Sequence, residues 1–139
     1  SKITSEFMII ARIESLILGN GVDDALKRAH SYMEAGANGI MIHSRERDTS
    51  DLYEFIEKYN LFSNRCTLVC VPTSYNHVKE EELKNKKVDV VIYANHLLRS
   101  SYPAMRKTAV EILNNKRSFE LESELMSIKE TLELIPGTI

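Results

Sequence analysis

The sequence predicts an α/β fold built on a parallel sheet, and three observations predict it. Four short apolar runs follow one another along 139 residues, and each is succeeded by a segment of helical character. The runs are continuously apolar rather than alternating, the pattern of parallel strands with both sheet faces covered. Each run also stops at polar side chains, at the end where α/β folds collect ligands.

The first run covers residues 7–11 and is followed by Arg12, Ile13 and Glu14. A Gly19-Asn20-Gly21 turn then leads into a helix expected over 22–35. Val22, Ala25, Leu26, Ala29 and Met33 share one face of it. Asp23 and Asp24 suit the positive end of its dipole, and Gly36 is placed to stop it. The second run, 39–42, ends in His43-Ser44. Its helix is expected over 50–59, with Leu52, Tyr53, Phe55 and Ile56 inward.

The third run, 67–71, ends in Pro72-Thr73. A charged stretch, Lys79-Glu80-Glu81-Glu82, reads as the solvated face of a short helix. The fourth run, 88–93, ends in Ala94-Asn95-His96. Its helix is expected from Ser101, a candidate N-cap with Pro103 in the first turn, to about residue 114. A last helix is expected over 119–134, where Leu121, Leu125, Ile128, Leu132 and Ile135 form a narrow stripe that wants a partner surface. Pro136-Gly137 would end it.

Strands alternating with helices imply right-handed crossovers in one sheet. Four such units make either half of an eight-stranded barrel or a small open sheet. A half barrel leaves two bare parallel edges, so the chain is expected to be a piece of something larger.

Composition narrows the partners. At 43% hydrophobic and 27% charged residues the chain is ordinary for a soluble globular protein. Its formal net charge of -2 gives no reason to expect nucleic acid or an anionic membrane. No apolar run approaches the roughly 20 residues of a membrane span. Cys66 and Cys70 lie four apart in one expected strand, a poor geometry for a disulfide. They are expected to be reduced core thiols of a cytoplasmic protein.

The strand-end residues that could carry chemistry are Arg12, Glu14, His43, Ser44, Thr73, Asn95 and His96. Arg12 offers a planar fork of donors that matches a carboxylate or a phosphoryl group. Its plainer role is a salt bridge to a neighbour such as Glu14. His43 could donate to an anion or move a proton, or simply sit satisfied at a strand end. Thr73 and Asn95 could position a substrate or a water, though such side chains are common there. The Gly19-Asn20-Gly21 turn could also offer backbone amides to an anion. No glycine-rich phosphate loop, dinucleotide fingerprint or His-Glu-x-x-His motif is present, and no acidic cluster at the strand ends suggests a magnesium site.

Taken together, several motifs resemble the phosphoenolpyruvate mutase family of the isocitrate lyase superfamily. They are Ile9-Ile10-Ala11-Arg12-Ile13-Glu14-Ser15-Leu16-Ile17 with Gly19-Asn20-Gly21 and Asp24-Ala25-Leu26-Lys27-Arg28-Ala29, then Glu34-Ala35-Gly36-Ala37-Asn38-Gly39-Ile40-Met41-Ile42-His43-Ser44. Val71-Pro72-Thr73-Ser74-Tyr75 and Tyr93-Ala94-Asn95-His96-Leu97-Leu98-Arg99 complete the set, and their order and spacing hold from residue 7 to residue 115.

The resemblance implies a (β/α)8 barrel of which this chain is the second half, strands five to eight. Residues 1–116 would form that half and residues 117–139 a helical extension packed on a neighbouring subunit, giving a homo-oligomer. It implies interconversion of phosphoenolpyruvate and phosphonopyruvate, the first step toward carbon–phosphorus bonds. Arg12 and His43 would hold the substrate's anionic groups, with Glu14, Ser44, Thr73 and Asn95 binding substrate or supporting those that do. Mg2+ is implied too, with its carboxylate ligands and a mobile loop in the other half, so this chain alone is expected to be inactive; the rival from another class is a non-catalytic fragment in which Arg12 and His43 merely hold an anion. Arg12-Ile13-Glu14 and His43-Ser44 look like the mutase and phosphonopyruvate hydrolase branch rather than the isocitrate-type lyases. The loop that separates mutase from hydrolase lies outside these residues. Asn20, where relatives often carry Trp, is a departure with no functional account.

Overall fold

The computed structural model describes residues 6–135. They fall into two compact units that divide between Ala94 and Asn95.

The first unit carries a four-stranded sheet: β1 (Ile10–Ile13), β2 (Gly39–Ile42), β3 (Thr67–Cys70) and β4 (Val90–Val91). All neighbours are parallel and the spatial order follows the chain, β1-β2-β3-β4. Three helices connect the strands: α1 (Gly21–Glu34), α2 (Ser50–Tyr59) and α3 (Glu80–Asn85). The registers Ile13↔Ile42 and Cys70↔Val91 set the carboxyl ends of neighbouring strands level.

The core forms on one face of the sheet. Ile13, Ile40, Ile42, Leu68 and Cys70 join Val22, Ala25 and Ala29 of α1 and Leu52, Phe55, Ile56 and Tyr59 of α2 in one buried cluster. Tyr59 takes the inward place expected of Tyr53, which is only partly buried and donates its hydroxyl to Glu82. Leu83 is the buried residue of α3, and its charged neighbours face water. Gly36 ends α1 at φ +95°, a conformation that suits a residue without a Cβ.

The opposite face differs from expectation. Side chains alternate along a strand, so Ile10, Arg12 and Met41 point away from the cluster. Ile10 stays 36% exposed. Right-handed crossovers between strands in sequential order put every helix on one side. Covering both faces was therefore beyond what these helices could do.

Strand boundaries also moved. β1 starts three residues later than the apolar run and includes Arg12. β4 keeps only Val90 and Val91. Asp89 turns its carboxylate to the Leu68 N–H at 2.8 Å and to Arg65, so it staples β3 from just before the ladder begins. Both cysteines are free, and only Cys70 lies in β3. Burial pushes the Cys70 thiol up to about 12, against a smaller opposing hydrogen bond from Tyr75. Near Cys66 the Tyr59 hydroxyl donates to the Cys66 carbonyl at 3.0 Å and accepts from the Cys66 N–H at 3.2 Å, holding the approach to β3.

The second unit holds α4 (His96–Asn115), a 3-10 turn (Phe119–Leu121) and α5 (Ile128–Glu133). α4 begins five residues before Ser101, because Asn95 makes the left-handed turn (φ 66°) that admits the chain directly to the helix. Pro103 therefore lies in the helix interior rather than its first turn.

The single helix expected over 119–134 does not form. Lys116 leaves α4 in the left-handed region, and the 3-10 turn is separated from α5 by non-helical residues. Ser127 starts α5 afresh with a capping box, its hydroxyl accepting from the Glu130 N–H while Glu130 accepts from the Ser127 N–H. The stripe from Leu121 to Ile135 is thus divided between two elements. Pro136 and Gly137, its expected stop, lie outside the described residues. Among the described residues no helix is long and apolar enough to cross a membrane.

Candidate functional site

The site is built where β1 and β2 end side by side. Arg12 and Glu14 are two residues apart and so project from the same face, with Ile13 between them buried in the core. The β1–β2 register brings His43 level with Glu14, and the His43 N–H donates to the Ile13 carbonyl at 3.1 Å.

Three side chains converge there. The Arg12 Nε–H donates to Glu14 Oε1. His43 Nδ1 lies 2.7 Å from Glu14 Oε2. Arg12 Nη2 lies 2.6 Å from His43 Nδ1 and 3.3 Å from Nε2. Glu14 thus spends one oxygen on each partner and bridges them. The slight burial of Glu14 works to raise its pKa, but hydrogen bonds and positive charge from His43 and Arg12 prevail and hold it below the usual carboxylate value. The Arg12 side chain is 51% exposed and that of His43 18%, so the arginine end of the cluster is the more open to water.

The salt bridge and the anion fork proposed for Arg12 are therefore compatible. Glu14 takes Nε and leaves the terminal nitrogens of the guanidinium off its carboxylate. What the arrangement can do is hold an anion between a guanidinium and an imidazole that a carboxylate has fixed relative to one another.

The other expected residues are placed differently. Ser44 is buried, and its hydroxyl accepts from the Glu46 N–H at 3.3 Å. It lines a cavity of about 180 Å³ with Leu16, Ile17, Arg45, Asp48 and Asp51, beside the cluster rather than in it. The Thr73 N–H donates to the Val71 carbonyl at 2.8 Å in a tight turn after β3. Among the described residues its side chain makes no hydrogen bond to Arg12, Glu14 or His43. Asn95 heads the second unit, with its side chain making no capping bond to α4.

The glycine turn spends the amides of Gly19 and Asn20 on the chain itself. The amides of Leu18, Gly19 and Asn20 donate to the carbonyls of Glu14, Leu16 and Ser15. Gly19 and Gly21 take positive φ angles to make this possible, so the turn is spent on closing β1 onto α1.

One supporting group was missed in the sequence. Ser15, buried directly after Glu14, donates its hydroxyl to Asp24 Oδ2 at 2.7 Å, and Arg28 Nε donates to the same oxygen at 2.7 Å. These bonds, Arg28 first, hold the Asp24 carboxylate below its usual range. Asp24 read as a dipole residue also ties the first turn of α1 to the end of β1. A hydroxyl right behind a strand-end acid was the signal that could have found it.

Among the described residues no group of three or more His, Cys, Asp or Glu side chains converges as a metal site would. Both Glu14 oxygens are already taken by cationic or N–H donors. This donor set does not suit a hard divalent cation, which needs several free oxygens.

Comparison with known proteins agrees with the parallel α/β fold. A family model described as phosphoenolpyruvate phosphomutase matches residues 1–113. The chain is 33% identical over 130 residues to a phosphoenolpyruvate phosphomutase of Tetrahymena pyriformis, covering 94% of this chain and 42% of that protein. It superposes with a TM-score of 0.84 on the crystal structure of phosphoenolpyruvate phosphomutase from Streptomyces platensis subsp. rosaceus, at 32% identity, covering 94% of this chain and 45% of that one. A phosphonopyruvate hydrolase solved in complex with oxalate and Mg++ gives a TM-score of 0.81 at 36% identity, covering 94% and 46%. The chain thus spans less than half the length of the relatives it matches.

Proposed function

The chain belongs to the phosphoenolpyruvate phosphomutase family, and on that premise we propose that it is the carboxyl-terminal half of a (β/α)8 barrel that interconverts phosphoenolpyruvate and phosphonopyruvate. The observation that carries the reading is the Arg12–Glu14–His43 cluster at the carboxyl ends of adjacent parallel strands. The sequential order β1-β2-β3-β4 supports the barrel, since a doubly wound open sheet reverses its order at a switch point. Arg12 lies on the sheet face that the helices leave open, which in a barrel is the interior.

In this reaction the phosphoryl group leaves the enol oxygen of phosphoenolpyruvate and is captured by carbon three of the pyruvate enolate. One P–O bond breaks, one P–C bond forms, and no water enters. Charge on the transferring group is spread over its oxygens, so positioned donors do most of the work. Arg12 and His43 supply donors to the anion. Thr73 and Asn95 would orient the pyruvate portion, and Ser44 would support the loop after β2. Mg2+ belongs to this reading through the relative solved with it. The residues described here do not fit the ion, and no step is assigned to it.

Residues 1–116 form the barrel half in this reading, and residues 117–139 extend it. A homo-oligomer remains part of the proposal. It rests on the exposed Leu97, Leu98, Phe119 and Ile128 rather than on a continuous stripe, and a sedimentation monomer would remove it. The cytoplasm suits two unpaired thiols.

The second reading is phosphonopyruvate hydrolase, favoured by the 36% identity to that enzyme. Phosphorus NMR of the full-length protein with phosphonopyruvate separates the two: a mutase yields phosphoenolpyruvate, and a hydrolase yields inorganic phosphate with pyruvate. Arg12→Lys in the same protein is expected to lower turnover roughly 100-fold or more, because a point charge replaces the planar fork. Near-normal turnover would take Arg12 out of the site.

A further inference from the structure

We propose that Glu14 is a positioning residue: its carboxylate fixes the proton of the His43 ring on Nδ1, so that Nε2 is the nitrogen turned to the substrate, where it donates to the anion once a second proton is taken up with it. The inference rests on reading the cluster as the anion grip, and it says how the grip is set.

Two groups compete for His43 Nδ1. Glu14 Oε2 stands 2.7 Å from it and Arg12 Nη2 stands 2.6 Å from it. A carboxylate can only accept and a guanidinium can only donate, so one ring nitrogen cannot satisfy both. If Nδ1 carried a lone pair for Arg12, that lone pair would face the Glu14 oxygen, and two acceptors would repel at hydrogen-bond distance. If Nδ1 carries the proton, Glu14 Oε2 accepts it while Oε1 accepts from Arg12 Nε. Both cationic or N–H groups are then held by the one carboxylate.

The second arrangement leaves two donors, Arg12 Nη2 and His43 Nδ1, 2.6 Å apart. The carboxylate between them offsets their repulsion, and the Arg12 side chain, half in water, can turn its terminal nitrogens outward. Glu14 therefore brings two anion-binding groups together at a separation they would not keep by themselves. Fixing an imidazole's tautomer through its second nitrogen is a general device for setting what its first nitrogen does.

A competing role for Glu14 is an internal stand-in for the substrate anion, to be displaced on binding. The bonds argue against it, because Glu14 engages Nε of Arg12 and Nδ1 of His43 and leaves the Arg12 terminal nitrogens and His43 Nε2 off its oxygens.

The test uses the full-length protein with nitrogen-labelled histidine. Proton–nitrogen correlation spectra, with His43 identified by its loss in His43→Asn, are expected to show the Nδ1–H tautomer. Glu14→Gln, whose amide can donate as well as accept, is expected to move His43 toward the Nε2–H form, and Glu14→Asp to retain Nδ1–H. The same Gln variant is expected to lose roughly 10- to 100-fold in kcat/KM for phosphonopyruvate, with partial recovery in Glu14→Asp. An Nε2–H tautomer in the unmodified protein overturns the inference without any variant. A Gln variant that folds and keeps its Nδ1–H signal also overturns it, and one with a lower KM supports the stand-in instead. Absence of turnover in the unmodified protein counts against the reaction and leaves the tautomer measurement to decide the role of Glu14.

Discussion

The two units are apolar in similar proportion but use that sequence to different ends. In the first, Phe55, Ile56 and Tyr59 of α2 are fully buried, and the sheet beneath them is buried on the same side. In the second, α4 runs for 20 residues without one buried side chain, and Leu97, Tyr102, Met105 and Leu113 are all exposed. Among the described residues, Leu121 is the one buried apolar residue of the second unit. Helical spacing is present in both. Only the first unit supplies the second surface against which that spacing is used.

The difference can be broken by mutation. Phe55→Ala removes a fully buried ring stacked on Tyr59 and is expected to cost about 3–5 kcal/mol in chemical denaturation. A cost near zero would mean that the first unit's core is not what holds it. Gly39→Ala is expected to cost about 1–3 kcal/mol by the same measurement. Its new Cβ would stand 2.5 Å from Ile10 Cδ1, which can swing away, and 3.0 Å from the Thr67 carbonyl oxygen, which cannot easily do so. A neutral result would show that β1 and β3 spread apart at little cost.

Acid tests the open face of the same unit. Glu14 has a folded value below its ordinary 4.5, so its contribution is present above that pH and is lost as pH falls through the folded value. The loss is expected to stay below about 1 kcal/mol, because the pairs are open to water. It should vanish from the difference between the unmodified chain and Glu14→Gln once both are neutral. A difference that instead grew below pH 4.5 would contradict the bridging carboxylate. The smallest effect is expected at Leu113→Ala, within about 0.5 kcal/mol, as for surface substitutions generally. A cost of 2 kcal/mol or more there would show that the helix face is covered in solution, and the contrast between the units would then be one of partner rather than of construction.

Much of the first unit was legible because local signals agreed. Residues 50–59 form α2 as expected, and Gly36 ends α1 where the need for a left-handed residue placed it. Arg12, Glu14 and His43 could be picked out because a charged side chain at the end of an apolar run is conspicuous. Thr73 was equally conspicuous, yet it makes no hydrogen bond to the cluster, because reach depends on the turn after β3 and not on spacing along the chain. Ser15 went unnoticed, since its role exists only once α1 folds back and brings Asp24 to it.

From the sequence alone came the alternation of strand and helix, the parallel sheet, and the charged side chains at the ends of the first strands. These follow from hydrophobic period and chain handedness, which are local properties. Only the folded chain decided which strands lie side by side, so that the helices cover one face, and that Glu14 stands between Arg12 and His43. Each of those depends on distances between residues far apart in the chain, and a linear pattern carries no information about which of two acceptable partners a side chain will meet.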